Sequence, residues 1–294
     1  MKITVITPFY KGQEYIDDYC RALLKNADSL KQDGHVLNVI LVNDSPEVEV
    51  SLPDEANDLV QVLTNEKNSG IHFSRVAGLK KAAGDYVMFL DQDDLLTEDA
   101  LSLMAKRADE TGVDVLVANA ILEQADKSQL LWYRNDYHKS LVGDLDTYLR
   151  VGIQIISPGQ CLIKKSSIPD FWQDHLVRVN GADDYYLWLL MLAKEMNFEY
   201  LDQALYIHKY TGSNISADTT ATDASVYDFL DLLADCPDFP QEYIFALHEM
   251  ISYKSQFRQA SGFGKITCSL AHLNLLLTNI RFKRKTGTKY GFNR

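Results

Sequence analysis

The chain opens on KITVITPF, an apolar and β-branched run without polar alternation, the pattern of a strand covered on both faces. EYIDDYCRALLKN then places Tyr15, Tyr19, Ala22 and Leu23 at helical spacing. The alternation continues. HVLNVILVND and LVQVLTN predict strands, IHFSRVAGLKKAAG a helix, DYVMFLDQDD a fourth strand, LTEDALSLMAKRADE a helix capped by Thr97, and VDVLVANAILE a fifth strand. Such alternation predicts an α/β fold with a mostly parallel sheet, helices on both faces and a ligand at the carboxyl ends of the strands. The second half is less regular. CLIKKSSI and FEYLDQALYIHKY read as short strands, DDYYLWLLMLAKEM as a helix between them, and the chain from DASVYDFLDLLADC onward as mainly helical, with breaks at CPDFP and SGFGK.

Composition narrows the class. With 294 residues and 46% apolar content the chain can bury a normal core, and it holds no apolar run long enough to span a bilayer. MKITVITPFY lacks the apolar stretch and cleavage site of a secretory leader, so a cytoplasmic location is expected. Cys20, Cys161, Cys236 and Cys268 stand singly, which predicts reduced packing residues rather than a zinc site or disulfide framework. The net charge of −12 is uneven: residues 250–294 carry nine basic residues and no acid, leaving 20 basic against 41 acidic residues before them. An acidic body argues against nucleic-acid binding, whereas a basic end invites a local anionic surface.

The polar clusters fall where the predicted strands end. Asp91, Asp93 and Asp94 of YVMFLDQDDLL form a hard-oxygen set suited to Mg²⁺ or Mn²⁺, which binds one or two carboxylates and completes its shell with water and phosphate. Taken alone, the same residues serve equally as a polar loop before a helix. An EF-hand loop starting at Asp91 is excluded, because its fifth and sixth positions would be Leu95 and Leu96. An aspartyl-phosphate phosphatase fits poorly with a cluster that ends the fourth strand.

VITPFYKGQEYI, LVNDSP, NSGIHFSRVAGLKKAAGDYVMFLDQDD and ADDYYLWLL occur in the order and approximate spacing of the inverting family 2 glycosyltransferases with a GT-A fold. The chain resembles that family over roughly residues 1–216, most specifically from Asn68 to Asp94. The resemblance implies a GT-A domain over 1–216, with a nucleotide-binding half at 1–95 and an acceptor half at 96–216, and a helical extension with a basic tail at 217–294. It implies a nucleotide sugar donor, a UDP-sugar above all, and a glycan or lipid-linked acceptor in surface-polysaccharide synthesis. Thr7, Pro8, Phe9 and Tyr10 would wrap base and ribose, Asp44 would accept a hydrogen bond from the uracil, and Gly70 and Arg75 match the NxGxxxAR element near base and diphosphate. Asp91 would face the ribose, Asp93 would bind the metal, and Asp94 would orient or cap. Asp184, with Asp183 beside it, matches the general base at a helix start. The alternatives are a nucleotidyltransferase on a similar sheet and a non-catalytic nucleotide- or sugar-binding relative.

Two departures stand out. Lys11 occupies a position where relatives usually carry Asn, and Thr211 of HKYTGSNIS falls where they carry a His that assists metal or diphosphate. Lys209, Thr211, Asn214 or Ser216 would then hold phosphate; His208 would do so only if the loop shifts, and otherwise reads as a packed side chain. Gln160 in ISPGQCLIKKSSI is a candidate sugar contact, and Trp132, Trp172 and Trp188 are stacking candidates, with core packing the better reading for Trp188. In the tail, Leu270, Leu273, Leu277 and Ile280 line one helical face ahead of Arg281, Lys283, Arg284 and Lys285. That pattern suits either an anionic membrane surface or a packed helix with a solvated basic end.

Overall fold

A computed structural model describes residues 1–211 and 219–288. The strands are β1 (Lys2–Phe9), β2 (Val36–Asn43), β3 (Val60–Thr64), β4 (Tyr86–Phe89), β5 (Leu95–Leu96), β6 (Val115–Glu123), β7 (Gln129–Leu131), β8 (Cys161–Lys164) and β9 (Phe198–Lys209). The helices are α1 (Ile16–Gln32), α2 (Ile71–Lys81), α3 (Ala100–Thr111), α4 (Asp136–Lys139), α5 (Leu145–Arg150), α6 (Asp170–Asp174), α7 (Asp183–Ala193), α8 (Thr219–Ala234), α9 (Gln241–Gln259), α10 (Phe263–Ala271) and α11 (Leu273–Thr286). Two compact units divide the chain: residues 1–132, 155–176 and 196–211 form one, and residues 133–154, 177–195 and 219–288 the other. The chain therefore passes between units several times, and α7 with Asp183 and Asp184 lies in the second unit.

All nine strands of the described residues belong to the first unit, in one sheet of order β3-β2-β1-β4-β8-β6-β9-β5, with β7 paired to β6. Strands β3, β2, β1 and β4 are mutually parallel, so their carboxyl ends share one edge. Ile3, Val5 and Ile6 of β1 have no exposed surface, which explains the unbroken apolar run: a central parallel strand is covered on both sides. Helix α2 lies so close to β1 that a Cβ on Gly78 would fall 2.4 Å from Ile6 Cγ2, so glycine is what admits the helix here. The mixed α/β fold and mostly parallel sheet agree with expectation.

The expected cap on α3 does not form. Helix α3 starts at Ala100 behind Asp99, and Thr97 supplies no side-chain bond to it. Asn26 of α1 acts instead, donating to Thr97 O at 2.8 Å and accepting from Leu101 N at 2.9 Å. Such a cap from a distant helix leaves no local sequence signal.

The second unit is helical. Tyr186 of α7 stacks on Phe229 of α8 at 5.7 Å between ring centroids, and Tyr185 meets the same ring edge-on at 5.5 Å. Helix α11 docks through Phe282, which packs with Leu141 and Val151 and lies 6.0 Å from the His138 ring. Asn135 Nδ2 donates to Lys285 O at 3.0 Å and Arg134 Nη1 to Gly287 O at 3.1 Å, holding the helix's last carbonyls. The four cysteines are free thiols, three of them buried.

Candidate active site

Three loops leave the shared carboxyl edge of β1, β2 and β4, and side-chain amides and hydroxyls tie them together. After β1, Tyr10 is exposed and its backbone is gripped by Gln92 of the β4 loop: Tyr10 N donates to Gln92 Oε1 at 2.8 Å and Gln92 Nε2 donates to Tyr10 O at 3.3 Å. Lys11 adopts φ +50°, donates its N–H to Ser45 Oγ at 3.0 Å and pairs with Glu47 at 3.3 Å. Thr7 and Phe9, expected to touch base and ribose, have buried side chains inside β1. The Thr7 hydroxyl is 2.6 Å from Tyr19 Oη, a contact that ties α1 to the strand. Pro8 is half-buried, in register with Val42 of β2 within the strand rather than in a turn.

Asp44, at the end of β2, is buried and collects donors. Its Oδ1 accepts from Asn65 Nδ2 and Ser69 N, and its Oδ2 from Gly70 N, each at 2.8 Å. Gly70 precedes α2 with φ +88° and ψ 170°, a conformation that L side chains avoid. Gly70 thus lets the chain turn two N–H groups onto one carboxylate at the start of α2.

Arg75, buried on α2, donates Nη2 to Asp91 Oδ1 at 2.7 Å. Ser157 Oγ lies 3.4 Å from Asp91 Oδ2. Asp93 is half-buried, and its carboxyl is pushed up to about 7, first by burial and then by the charges of Asp94 and Asp91. Asp94 is fully buried and belongs to the framework: it accepts from the Tyr206 hydroxyl, from His208 Nδ1 at 3.2 Å and from Lys209 N at 2.9 Å. These bonds join β9 to the acidic loop. For His208, burial pulls the imidazole down, but the Asp94 hydrogen bond and the charges of Asp94, Asp91 and Asp93 outweigh it and the pKa is raised. His208 is therefore fixed to the carboxylate cluster rather than packed among apolar side chains. Lys209 Nζ is 3.6 Å from Asp18, and Thr211 is half-buried just beyond β9. Asn214 and Ser216 lie outside the described residues.

No group of three or more His, Cys, Asp and Glu is arranged around a metal position among the described residues. The acidic loop nevertheless fits a divalent cation of the kind that binds through one carboxylate and substrate phosphates. Asp93 carries charge that its neighbours penalise and that a cation would offset.

Gln160 is buried, with Oε1 accepting from Ile156 N at 2.7 Å and Nε2 donating to Ala118 O at 2.8 Å. Trp132, Trp172 and Trp188 are buried too, which excludes them as sugar platforms in this conformation. In the second unit, Asp183 and Asp184 are the first two residues of α7; Asp183 is buried, Asp184 half-buried, and Asp184 Oδ1 accepts from Tyr185 N at 2.8 Å. Gln92, Asn65, Ser157 and Tyr206 were missed by motif reasoning. Gln92 sat within the quoted acidic stretch, but nothing local told its amide from a solvated one.

A parallel sheet whose carboxyl edge carries an anchored Asp, an Arg-Asp pair and an acidic loop is the arrangement of a GT-A nucleotide-sugar transferase domain. The family described as glycosyl transferase family 2 matches residues 4–172, and the chain belongs to that family. The succinoglycan biosynthesis protein ExoO of Rhizobium meliloti is 30% identical over 134 residues, covering 44% of this chain and 37% of that protein. An undecaprenyl-phosphate 4-deoxy-4-formamido-L-arabinose transferase of Salmonella paratyphi B is 29% identical over 121 residues, covering 39% of this chain and 36% of the enzyme. The chain thus matches well under half the length of either relative. S. aureus TarS 1-349 in complex with UDP-GlcNAc shares the fold with a TM-score of 0.60 at 18% identity, over 94% of this chain and 82% of that one.

Proposed function

We propose that the chain transfers a sugar with inversion from a nucleotide sugar, with UDP as carrier, to a hydroxyl of a glycan or lipid-linked acceptor in surface-polysaccharide synthesis. The observation that carries the reading is the linked row of Asp44, Gly70, Arg75, Asp91 and Asp93 along one sheet edge. The family, the UDP-GlcNAc held by TarS, and the polysaccharide and lipid-linked work of the named relatives support it.

In this reading Asp44 and Tyr10 position the base, Arg75 and Asp91 the ribose and diphosphate side, and His208, Lys209 and Thr211 stand near the phosphates. Asp184 takes the proton from the acceptor hydroxyl. The freed oxygen attacks the anomeric carbon opposite the diphosphate, the bond from that carbon to the phosphate oxygen breaks, and the nucleoside diphosphate leaves. Asp93 would hold Mn²⁺ or Mg²⁺, which would supply Lewis-acid stabilisation of the leaving charge. Asp183, buried beside the base, positions α7.

A thermal-shift panel of nucleoside diphosphates and nucleotide sugars, with and without Mn²⁺, tests the donor site, because a ligand that binds only the native state raises its stability by mass action. UDP stabilisation that needs the metal supports the reading; stabilisation by another nucleotide alone, or by none, overturns it. In a transfer assay, Asp184→Asn is expected to cost about 10²- to 10⁴-fold in rate with UDP binding kept. A wild type that binds UDP but consumes no nucleotide sugar would mark a binding protein instead.

A further inference from the structure

The helical end of the second unit presents an apolar surface with nothing packed on it among the described residues. The tail pattern is broken at His272 (φ −119°, ψ 44°), so Leu270 belongs to α10 and Leu273, Leu277 and Ile280 to α11. Helix α11 is docked through Leu275, Asn279, Phe282 and Thr286, all buried. At 3.6 residues per turn, Leu273, Leu277, Ile280 and Arg284 lie on the opposite side, and all four are exposed. Helix α10 adds Phe263, Ile266 and Leu270 at helical spacing, Phe263 being 76% exposed. Six large apolar side chains on two short consecutive helices exceed the scattered surface apolars of a soluble domain.

Charge identifies the cover. Residues 250–294 contain no acid, and Lys265, Arg281, Arg284 and Lys285 have no carboxylate partner among the described residues. A second copy of this surface would set like charges against one another, and the rest of the chain is strongly acidic only before residue 250. An anionic bilayer offers both a counter-charge and an apolar interior within a few ångströms of its surface.

We infer that α10 and α11 form a peripheral docking surface for anionic phospholipid, with Phe263, Ile266, Leu270, Leu273, Leu277 and Ile280 entering the interface and Arg281, Arg284 and Lys285 meeting head groups. This deepens the proposed function by naming the surface on which a lipid-linked acceptor would be met, yet it stands on the helices alone.

Co-sedimentation of the full chain with vesicles of equal parts phosphatidylglycerol and phosphatidylcholine, and with pure phosphatidylcholine, tests it. Binding is expected with the anionic vesicles only and should weaken with salt. Leu273→Ser/Leu277→Ser/Ile280→Ser and Arg281→Gln/Arg284→Gln are each expected to weaken binding at least about tenfold. All five positions are exposed, so folding is retained, and UDP-dependent thermal stabilisation serves as the check. A wild type that ignores anionic vesicles overturns the inference; if it is dimeric and the apolar triple variant is monomeric, a second copy covers the face. Failure of UDP to stabilise the wild type would strike the donor site and leave the vesicle result standing.

Discussion

Arg75 Nη2 and Asp91 Oδ1 stand 2.7 Å apart, yet the partners are unequally buried: the arginine side chain is 5% exposed and the aspartate 34%. A charge removed from water depends on its counter-charge, whereas one at the margin can turn to solvent. The pair therefore holds the buried guanidinium more than it holds the carboxylate.

Asp91→Asn should accordingly cost more than Arg75→Met. Removing the negative charge beside the buried guanidinium costs about 2–4 kcal/mol, and removing the positive charge beside the part-exposed carboxylate about 1–2 kcal/mol after discounting for solvent. Urea unfolding of the two variants gives the order directly. Should Arg75→Met prove the costlier, the guanidinium's place over the Phe89 ring, 6.0 Å from its centroid, rather than the pair is what matters.

Asp44 makes a second prediction. An asparagine there would turn an amide N–H towards one of the N–H donors it now satisfies, so Asp44→Asn should lose about 1–3 kcal/mol. Gly70→Ala attacks the same junction from the backbone, at φ +88°, for about 1–3 kcal/mol. Because both loosen one junction, the double variant should cost less than the sum of the singles in a denaturation cycle. Strict additivity would show that the carboxylate and the turn are independent.

Asp93 behaves in the opposite sense. Its folded pKa of about 7 lies above the ordinary carboxylate value, so its charge destabilises the metal-free protein above that pH and the penalty disappears below about pH 4. Asp93→Asn is expected to stabilise the metal-free protein at pH 8 by about 1 kcal/mol, discounted for its partial exposure, and to have no such effect at pH 4. With Mn²⁺ and UDP present the order should reverse, since only the wild type gains the ligand's contribution. Equal stabilisation of both proteins by Mn²⁺ and UDP would remove Asp93 from the metal site.

The contrast between Asp93 and Asp94 shows where the sequence was legible. The strands β1, β2, β4 and β6 announced themselves as apolar runs, because burial on both faces is written in most residues of such a strand, and their parallel order, with β3 at the edge, followed from alternation with helices. The acidic loop was visible as a motif, but the division of labour within it was not. Asp94 is spent on Tyr206, His208 and Lys209, more than a hundred residues away in the chain. Likewise Asn26 replaced Thr97 as the cap of α3, and Gln160 proved to be an internal brace. In each case a polar side chain found its partner across a long sequence separation, which no local pattern encodes. The chain's passage of α7 into the second unit belongs to the same class of long-range fact.

Lys254, in that second unit, gives the pH test. Its side chain is buried on α9 and donates to Val151 O at 2.6 Å, beside the C-terminus of α5. Burial, followed by the charge of Arg258, lowers its pKa to about 8. In the unfolded chain the amine keeps its ordinary value near 10.4, so both states are protonated below pH 8 and the buried charge is a cost there. Between pH 8 and about 10.4 the folded protein has shed the proton and the unfolded chain has not, so stability rises with pH by at most about 3 kcal/mol in total. Lys254→Met abolishes this slope. Other groups titrate in the same window, which is why the measured quantity is the stability difference between Lys254→Met and wild type at pH 7 and at pH 10. That difference should shift by roughly 2–3 kcal/mol in favour of the wild type as the pH is raised, and a difference that stays constant would mean that water reaches the amine in solution.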